Sequence, residues 1–231
     1  CIRDSPSGWA AGVVCGLAES TTMFVLTINQ RDTLDAGDRV DAFLRSLGDA
    51  PGLAGAVALP FQRAVGDELI GAVTDPAAAV EVALRALRDR RWNVGIGVGA
   101  LRGADGTEGA PSSGSLDDAA GPALAHARRA VEAAAVSTAR IPLAVRGADA
   151  QASAEAEAVL RLVGQLVWSR TDAEWAVLDL LVPGVRGQQK PAAAALGITA
   201  QAVSQAVQRS YWNEEHACRP AAARLLTLAG G

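Results

Sequence analysis

Apolar positions recur with two different periods along the chain, and the change of period falls near residue 150. MFVLTIN, residues 23–29, is an unbroken run rich in branched side chains, as expected of a strand covered on both faces. From Asp35 to Leu47 the apolar residues Val40, Phe43, Leu44 and Leu47 fall at helical spacing, and Gly48, Pro51 and Gly52 end the helix. GAVALPFQR and ELIGAVTD, separated by AVGD, predict a hairpin with Asp67 and Glu68 at its turn. Asp75 is a natural N-cap with Pro76 at the first helical position, opening PAAAVEVALRALRDRR. Trp92 leads into the strand NVGIGVGAL. Residues 102–121 are polar, glycine-rich and aperiodic, the pattern of a mobile surface loop. A helix ALAHARRAVEAAA and a strand RIPLAVRG follow. The order β-α-β-β-α-β-α-β predicts an α/β sandwich on one mixed sheet.

After Gln151 no strand pattern remains. Ser153 is expected to cap a helix with an apolar stripe through Val159, Leu162, Val163, Leu166 and Val167. Thr171 and Glu174 form a capping box opening EWAVLDLLV, which Pro183 and Gly184 close. The stretch 187–212, GQQKPAAAALGITAQAVSQAVQRSYW, has the residue types of a helix-turn-helix. Ala193 is small where two helices touch, Gly197 sits in the turn, Leu196 and Ile198 flank it, and Val203 with Val207 anchors the second helix. Thr199 can cap that second helix. Pro191 departs from the pattern by shortening the first helix. With the anchors inward, Thr199, Ala200, Gln201, Ser204, Gln205 and Gln208 face outward. Gln can read adenine in the major groove, and Arg209 can reach phosphate or guanine. Trp168, Trp175 and Trp212 are expected to anchor the core of this helical part.

Charge tempers that reading. The 231 residues carry a net charge of −4, so any nucleic-acid site must be local. From Trp168 onward six bases face five acids, an excess of one positive charge, which argues against a strong non-specific grip on phosphate. Cys1, Cys15, Cys218, His126 and His216 show no zinc spacing, and this cysteine usage fits a reducing cytoplasm. No apolar run reaches the roughly 18 residues a membrane helix needs. The only methionine is Met23, at the start of the first strand, and residues 1–22 are read as an extension outside the fold. GIGVG, residues 95–99, lacks the strand-to-helix setting of a dinucleotide fingerprint, so its glycines are expected to allow close helix packing or to expose backbone to a pocket.

The hairpin carries the candidate chemistry. VLTINQRD, PFQRAVGDELIG, VGIGVG and GPALAHARRAVE together resemble the bacterial SatD-like proteins, and more distantly the GGDEF nucleotidyl cyclases. The resemblance covers roughly residues 23–230. It implies an α+β ferredoxin-like, nucleotidyl-cyclase-like domain over 23–149 and a small all-α helix-turn-helix domain over 150–231. Cyclases of this fold hold two metal ions on carboxylates from the first strand and the hairpin turn. Asp67 and Glu68 match the turn, but Asn29 stands where active members have Asp, and an amide brings no charge to balance Mg²⁺. Asp32, three residues on, cannot substitute from the same strand face. The GGDEF motif is reduced to VGDEL. The resemblance therefore implies a degenerate cyclase-like domain that senses a ligand or dimerises, with no catalytic residue and no assigned metal ligand. The function expected is transcriptional regulation through double-stranded DNA, in the cytoplasm, with a homodimer as the natural form for reading two half-sites. The alternative is a metal-dependent enzyme binding Mg²⁺ and nucleotide at Asn29, Asp67 and Glu68. A purely structural interaction protein is a third reading.

Overall fold

The computed structural model describes residues 22–31, 37–50 and 52–231. Strand β1 (Thr22–Gln30) lies at the centre of a five-stranded mixed sheet. β2 (Val57–Arg63) and β3 (Glu68–Val73) form the hairpin, β4 is Trp92–Ala100 and β7 is Leu143–Arg146. The order across the sheet is β2-β3-β1-β4-β7. β1 runs antiparallel to both β3 and β4, whereas β7 is parallel to β4.

Residues 23–28 of β1 are all buried, because helices cover both faces of the sheet. On one face Phe24, Leu26, Ile28, Val94, Ile96 and Val145 meet four helices. These are α1 (Val40–Gly48), α2 (Pro76–Asp89), α4 (Ala150–Ser169) and α8 (Trp212–Leu228). Helix α2 lies between the sheet and α4 and α8, so it is buried nearly all round through Ala79, Val82, Ala83, Ala86 and Leu87. Its alanines let neighbouring backbones approach. The same core continues through Leu160, Val163, Ala222 and Leu226, and thus joins residues on both sides of position 150.

The opposite face is covered by α3 (Pro122–Val136). Here the alternating glycines of β4 have their physical reason. A Cβ at Gly95 would stand 2.6 Å from Ala127 O, and one at Gly97 2.8 Å from Ala127 Cα. The expectation of close helix packing at GIGVG holds.

Local signals act largely as anticipated. Asp75 Oδ1 accepts from Ala77 N at 2.9 Å with Pro76 inside the first turn. Thr171 and Glu174 form both bonds of the capping box at the start of α5 (Asp172–Leu178).

Other boundaries move. Asp149, rather than Ser153, caps α4 by accepting from Ala152 N at 2.9 Å, and buried Ser153 donates to Asp149 O. The inward stripe of α4 is Ala152, Ala156, Leu160, Val163 and Val167, which leaves Leu162 67% exposed. The small residues of the first two turns seat the helix on the body, and this rotation decides which large residues point inward. Helix α5 stops at Leu178, well before Pro183. The stretch 102–121 is not structureless: β5 (Arg102–Gly103) pairs with β6 (Ala119–Ala120). Gln62 fastens that stretch to β2 by donating to Gly114 O at 3.0 Å and accepting from Leu116 N at 3.3 Å. Thr22 belongs to β1 and pairs with Ala100, whereas residues 1–21, with Cys1 and Cys15, lie outside the described residues. So do Asp32 and Asp35. Among the described residues no helix is long and apolar enough to cross a membrane.

Candidate functional site

Two helices follow α5: α6 (Gln189–Leu196) and α7 (Ala200–Arg209). Together the three enclose a small core of Val177, Ala192, Ala193, Val203 and Ala206. Gly197 takes the left-handed conformation, φ 66°, that ends α6, and Ile198 N donates to Ala193 O at 3.0 Å. Thr199 Oγ1 then accepts from Ala202 N at 3.1 Å and starts α7. The turn is thus set by one glycine and one hydroxyl. Pro191 falls in the first turn of α6, where a missing N–H leaves no helical bond unmade.

The side chains foreseen on the outer face lie there, with one exception. Thr199, Gln201, Ser204, Gln205, Gln208 and Arg209 are exposed, whereas Ala200 is half-buried against Val203 and its neighbours. Ser204 Oγ donates to Ala200 O at 3.1 Å and keeps its acceptor capacity. Among the described residues Gln201, Gln205, Gln208 and Arg209 have no side-chain partner in the chain. Ile198, expected to flank the turn as an anchor, is 41% exposed. The partner of Val203 in the small core is Ala206, with Val207 half-buried beside it.

What holds this helical group was not legible in the sequence. The Gln188 side chain accepts from Val182 N at 2.7 Å and donates to Val182 O and Val185 O at 2.8 and 2.9 Å, fixing the α5–α6 connection. Arg170, 1% exposed, donates through Nε to Ser210 O at 3.0 Å, just beyond α7. Its Nη2 lies 3.3 Å from Glu215 Oε2 of α8, and Glu215 is wholly buried. Glu215 also accepts from Arg219, which bonds Glu81 of α2. Burial would raise the Glu215 carboxyl, but hydrogen bonds from His216 and Arg219 outweigh it and hold the group at about 2. The C-terminal end of α7 is thereby tied to the sheet body through Arg170, a residue that has no periodicity signature. Trp175 and Trp168 are half-buried and Trp212 is buried. Trp175 carries the Arg88 guanidinium 4.0 Å and the Arg170 guanidinium 4.9 Å from its ring centroid.

At the hairpin, Asn29 stands directly opposite Glu68 on β3 and opposite Asn93 on β4. Asn93 Nδ2 donates to Asn29 Oδ1 at 2.8 Å, so the amide oxygen that could face a cation already has a partner. Gln30 N donates to Asp67 O at 3.1 Å, fastening the turn to the end of β1. Asp67 and Glu68 are both half-buried. Burial raises the Glu68 carboxyl; the Arg128 charge on α3 opposes that shift, while Asp67 and Glu132 add to it. The strand register brings Asn29 and Glu68 together as expected, and it adds Asn93, Arg128 and Glu132, which sequence reasoning did not single out. Among the described residues there is no group of three or more His, Cys, Asp or Glu placed to hold a metal ion. Cys218 is exposed, and His216 Nδ1 lies 2.8 Å from Trp212 O within its own helix.

Comparison with family models, with curated proteins and with solved structures returns no match.

Proposed function

We propose that the chain is a sequence-specific DNA-binding protein acting in transcriptional regulation, that α7 reads the major groove, and that a degenerate cyclase-like domain provides ligand sensing or dimerisation. The observation that carries this reading is the outer face of α7. It combines three unpartnered glutamines, an exposed serine and a terminal arginine on a helix whose opposite face is held by Val203 and Ala206. Glutamine side chains without internal partners can exchange water for base edges. The three-residue turn set by Gly197 and Thr199 supports a helix-turn-helix reading of α6 and α7. The strand order β2-β3-β1-β4, with α1 and α2 as connections, supports the ferredoxin-like, cyclase-like reading of residues 23–149 and the SatD-like resemblance. A cytoplasmic location follows from this reading, and a homodimer would present two α7 helices to two half-sites.

The deciding experiment is selection of bound duplexes from a genomic library by the full chain, beside a Gln201/Gln205/Arg209→Ala variant. An enriched motif that the variant loses is the expected result; no enrichment at any ionic strength sinks the proposal. Arg186, Lys190 and Arg209 are the exposed bases near the face, so affinity should fall with salt at a slope of only about −3 per chain. The rival reading, a metal-dependent nucleotide enzyme at Asp67 and Glu68, has the register of Asn29 against Glu68 in its favour and the missing carboxylate against it.

A further inference from the structure

A cleft of about 810 Å³ lies between α1, the C-terminal end of α2 and α5, and none of the described residues that line it belongs to the hairpin or to α7. Five arginines line it: Arg39, Arg85, Arg88, Arg90 and Arg91. Its described acids are Asp89, Asp172 and Asp179, and Arg85 is already paired with Glu81 at 3.1 Å just outside the lining. Asp179 is taken by a two-pronged bond from Arg88, both contacts at 2.7 Å, and Asp89 accepts from Trp92 Nε1 at 2.9 Å. Arg90 donates to Arg170 O. Among the described residues the Arg39 and Arg91 guanidiniums have no side-chain or main-chain acceptor. Two further donors on cleft-lining residues, Arg85 Nε and Trp175 Nε1, are shielded from solvent and also lack an acceptor.

The cleft is therefore rich in donors and short of acceptors. Guanidinium forks match the oxygens of phosphate groups, and several of them crowded into one concavity repel one another unless an anion lies between them. The volume is within the range of small-molecule sites. We infer that this cleft binds a small phosphate-bearing molecule, with Arg39 and Arg91 as its principal charge contacts. The ligand would bridge α1 and α2 of the sheet body to α5, the first helix of the group that carries α7. The inference does not depend on α7 contacting DNA.

The test is calorimetric titration of the full chain with pyrophosphate, with inorganic phosphate and ATP as further probes. The Arg39→Ala/Arg91→Ala variant provides the comparison. Saturable pyrophosphate binding that weakens by about tenfold or more in the variant is expected, because each charged hydrogen bond lost costs on the order of a tenfold change. Stronger binding of ATP than of pyrophosphate would place a nucleoside in the remaining volume; equal binding would restrict the ligand to its phosphates, and either supports the site. Absence of pyrophosphate and ATP binding, or equal binding by variant and parent, overturns it. Should the double variant lose its melting transition, the single Arg91→Gln chain gives the same comparison. A short duplex that binds more weakly to the variant, with no binding of the small phosphates, would also overturn the inference and make the cleft a backbone contact. All arms leave α7 unaltered, so their failure and failure of the DNA selection are separate results.

Discussion

The hairpin group and the outer face of α7 are both short runs of polar side chains, and their surroundings have opposite character. At the hairpin, Asn29 is bonded to Asn93, Glu68 is half-buried beside Arg128, and main-chain bonds fasten the turn to β1. On α7, the glutamines and Arg209 extend into solvent with no partner among the described residues. A polar group already satisfied inside the fold gains little from a ligand, whereas an unpartnered exposed one loses only water on binding. That difference favours the α7 face over the hairpin carboxylates as a surface that gains from a partner.

The largest effect is expected on the α7 side. Glu215→Gln leaves Arg170 and Arg219 without their buried counter-charge and should cost about 3–5 kcal/mol of stability, measured by urea unfolding. Because Arg170 also holds Ser210 O, the same variant should weaken duplex binding without touching the outer face of α7. Its pH dependence has a definite sign. The Glu215 carboxyl falls from 4.5 to about 2 on folding, so its contribution is complete above pH 4.5 and lost as pH drops toward 2. The parent should lose stability across that window and the variant should lose less. Equal acid sensitivity would remove Glu215 from the account.

On the side of the sheet facing α3 the expected loss is somewhat smaller. Gly97→Ala forces a Cβ into the backbone of α3, the helix that carries Arg128 and Glu132. A loss of about 1–3 kcal/mol in thermal or urea unfolding is expected, with α7-dependent DNA binding retained at temperatures where the variant is folded. An unchanged midpoint would show that α3 is not in close contact with β4.

Asn29→Asp has the smallest expected effect. A carboxylate directly opposite Glu68 should destabilise the pair of strands by roughly 0.2–1 kcal/mol, and added Mg²⁺ should not restore the loss. Recovery of the melting temperature in Mg²⁺ would show a metal-competent pocket and favour the enzyme reading.

The legible features were those carried by residues close in sequence. MFVLTIN, the Asp75-Pro76 start, the Thr171–Glu174 capping box and the Gly197-Thr199 turn are local patterns, because caps and turns satisfy backbone groups within a few residues. The outward placement of Gln201, Gln205 and Gln208 was equally readable from the spacing of Val203 and Val207. Misreadings came where a distant partner chose between local options. The stripe of α4 turned toward Ala156 and Leu160, leaving Leu162 in solvent, because the helix had to fit against α2 and α8. Ala200 turned inward for the same reason on a smaller scale.

Spacing along the chain was enough to give the order of the main elements, the caps at Asp75, Thr171 and Thr199, and the polar character of the α7 face. Only the tertiary structure decided the register that sets Asn29 against Glu68, the buried Arg170–Glu215 link and the arginine-lined cleft beside α5. These join residues tens of positions apart. Their energies come from burial and pairing of charge, which exist only once the sheet and its helices have closed around them.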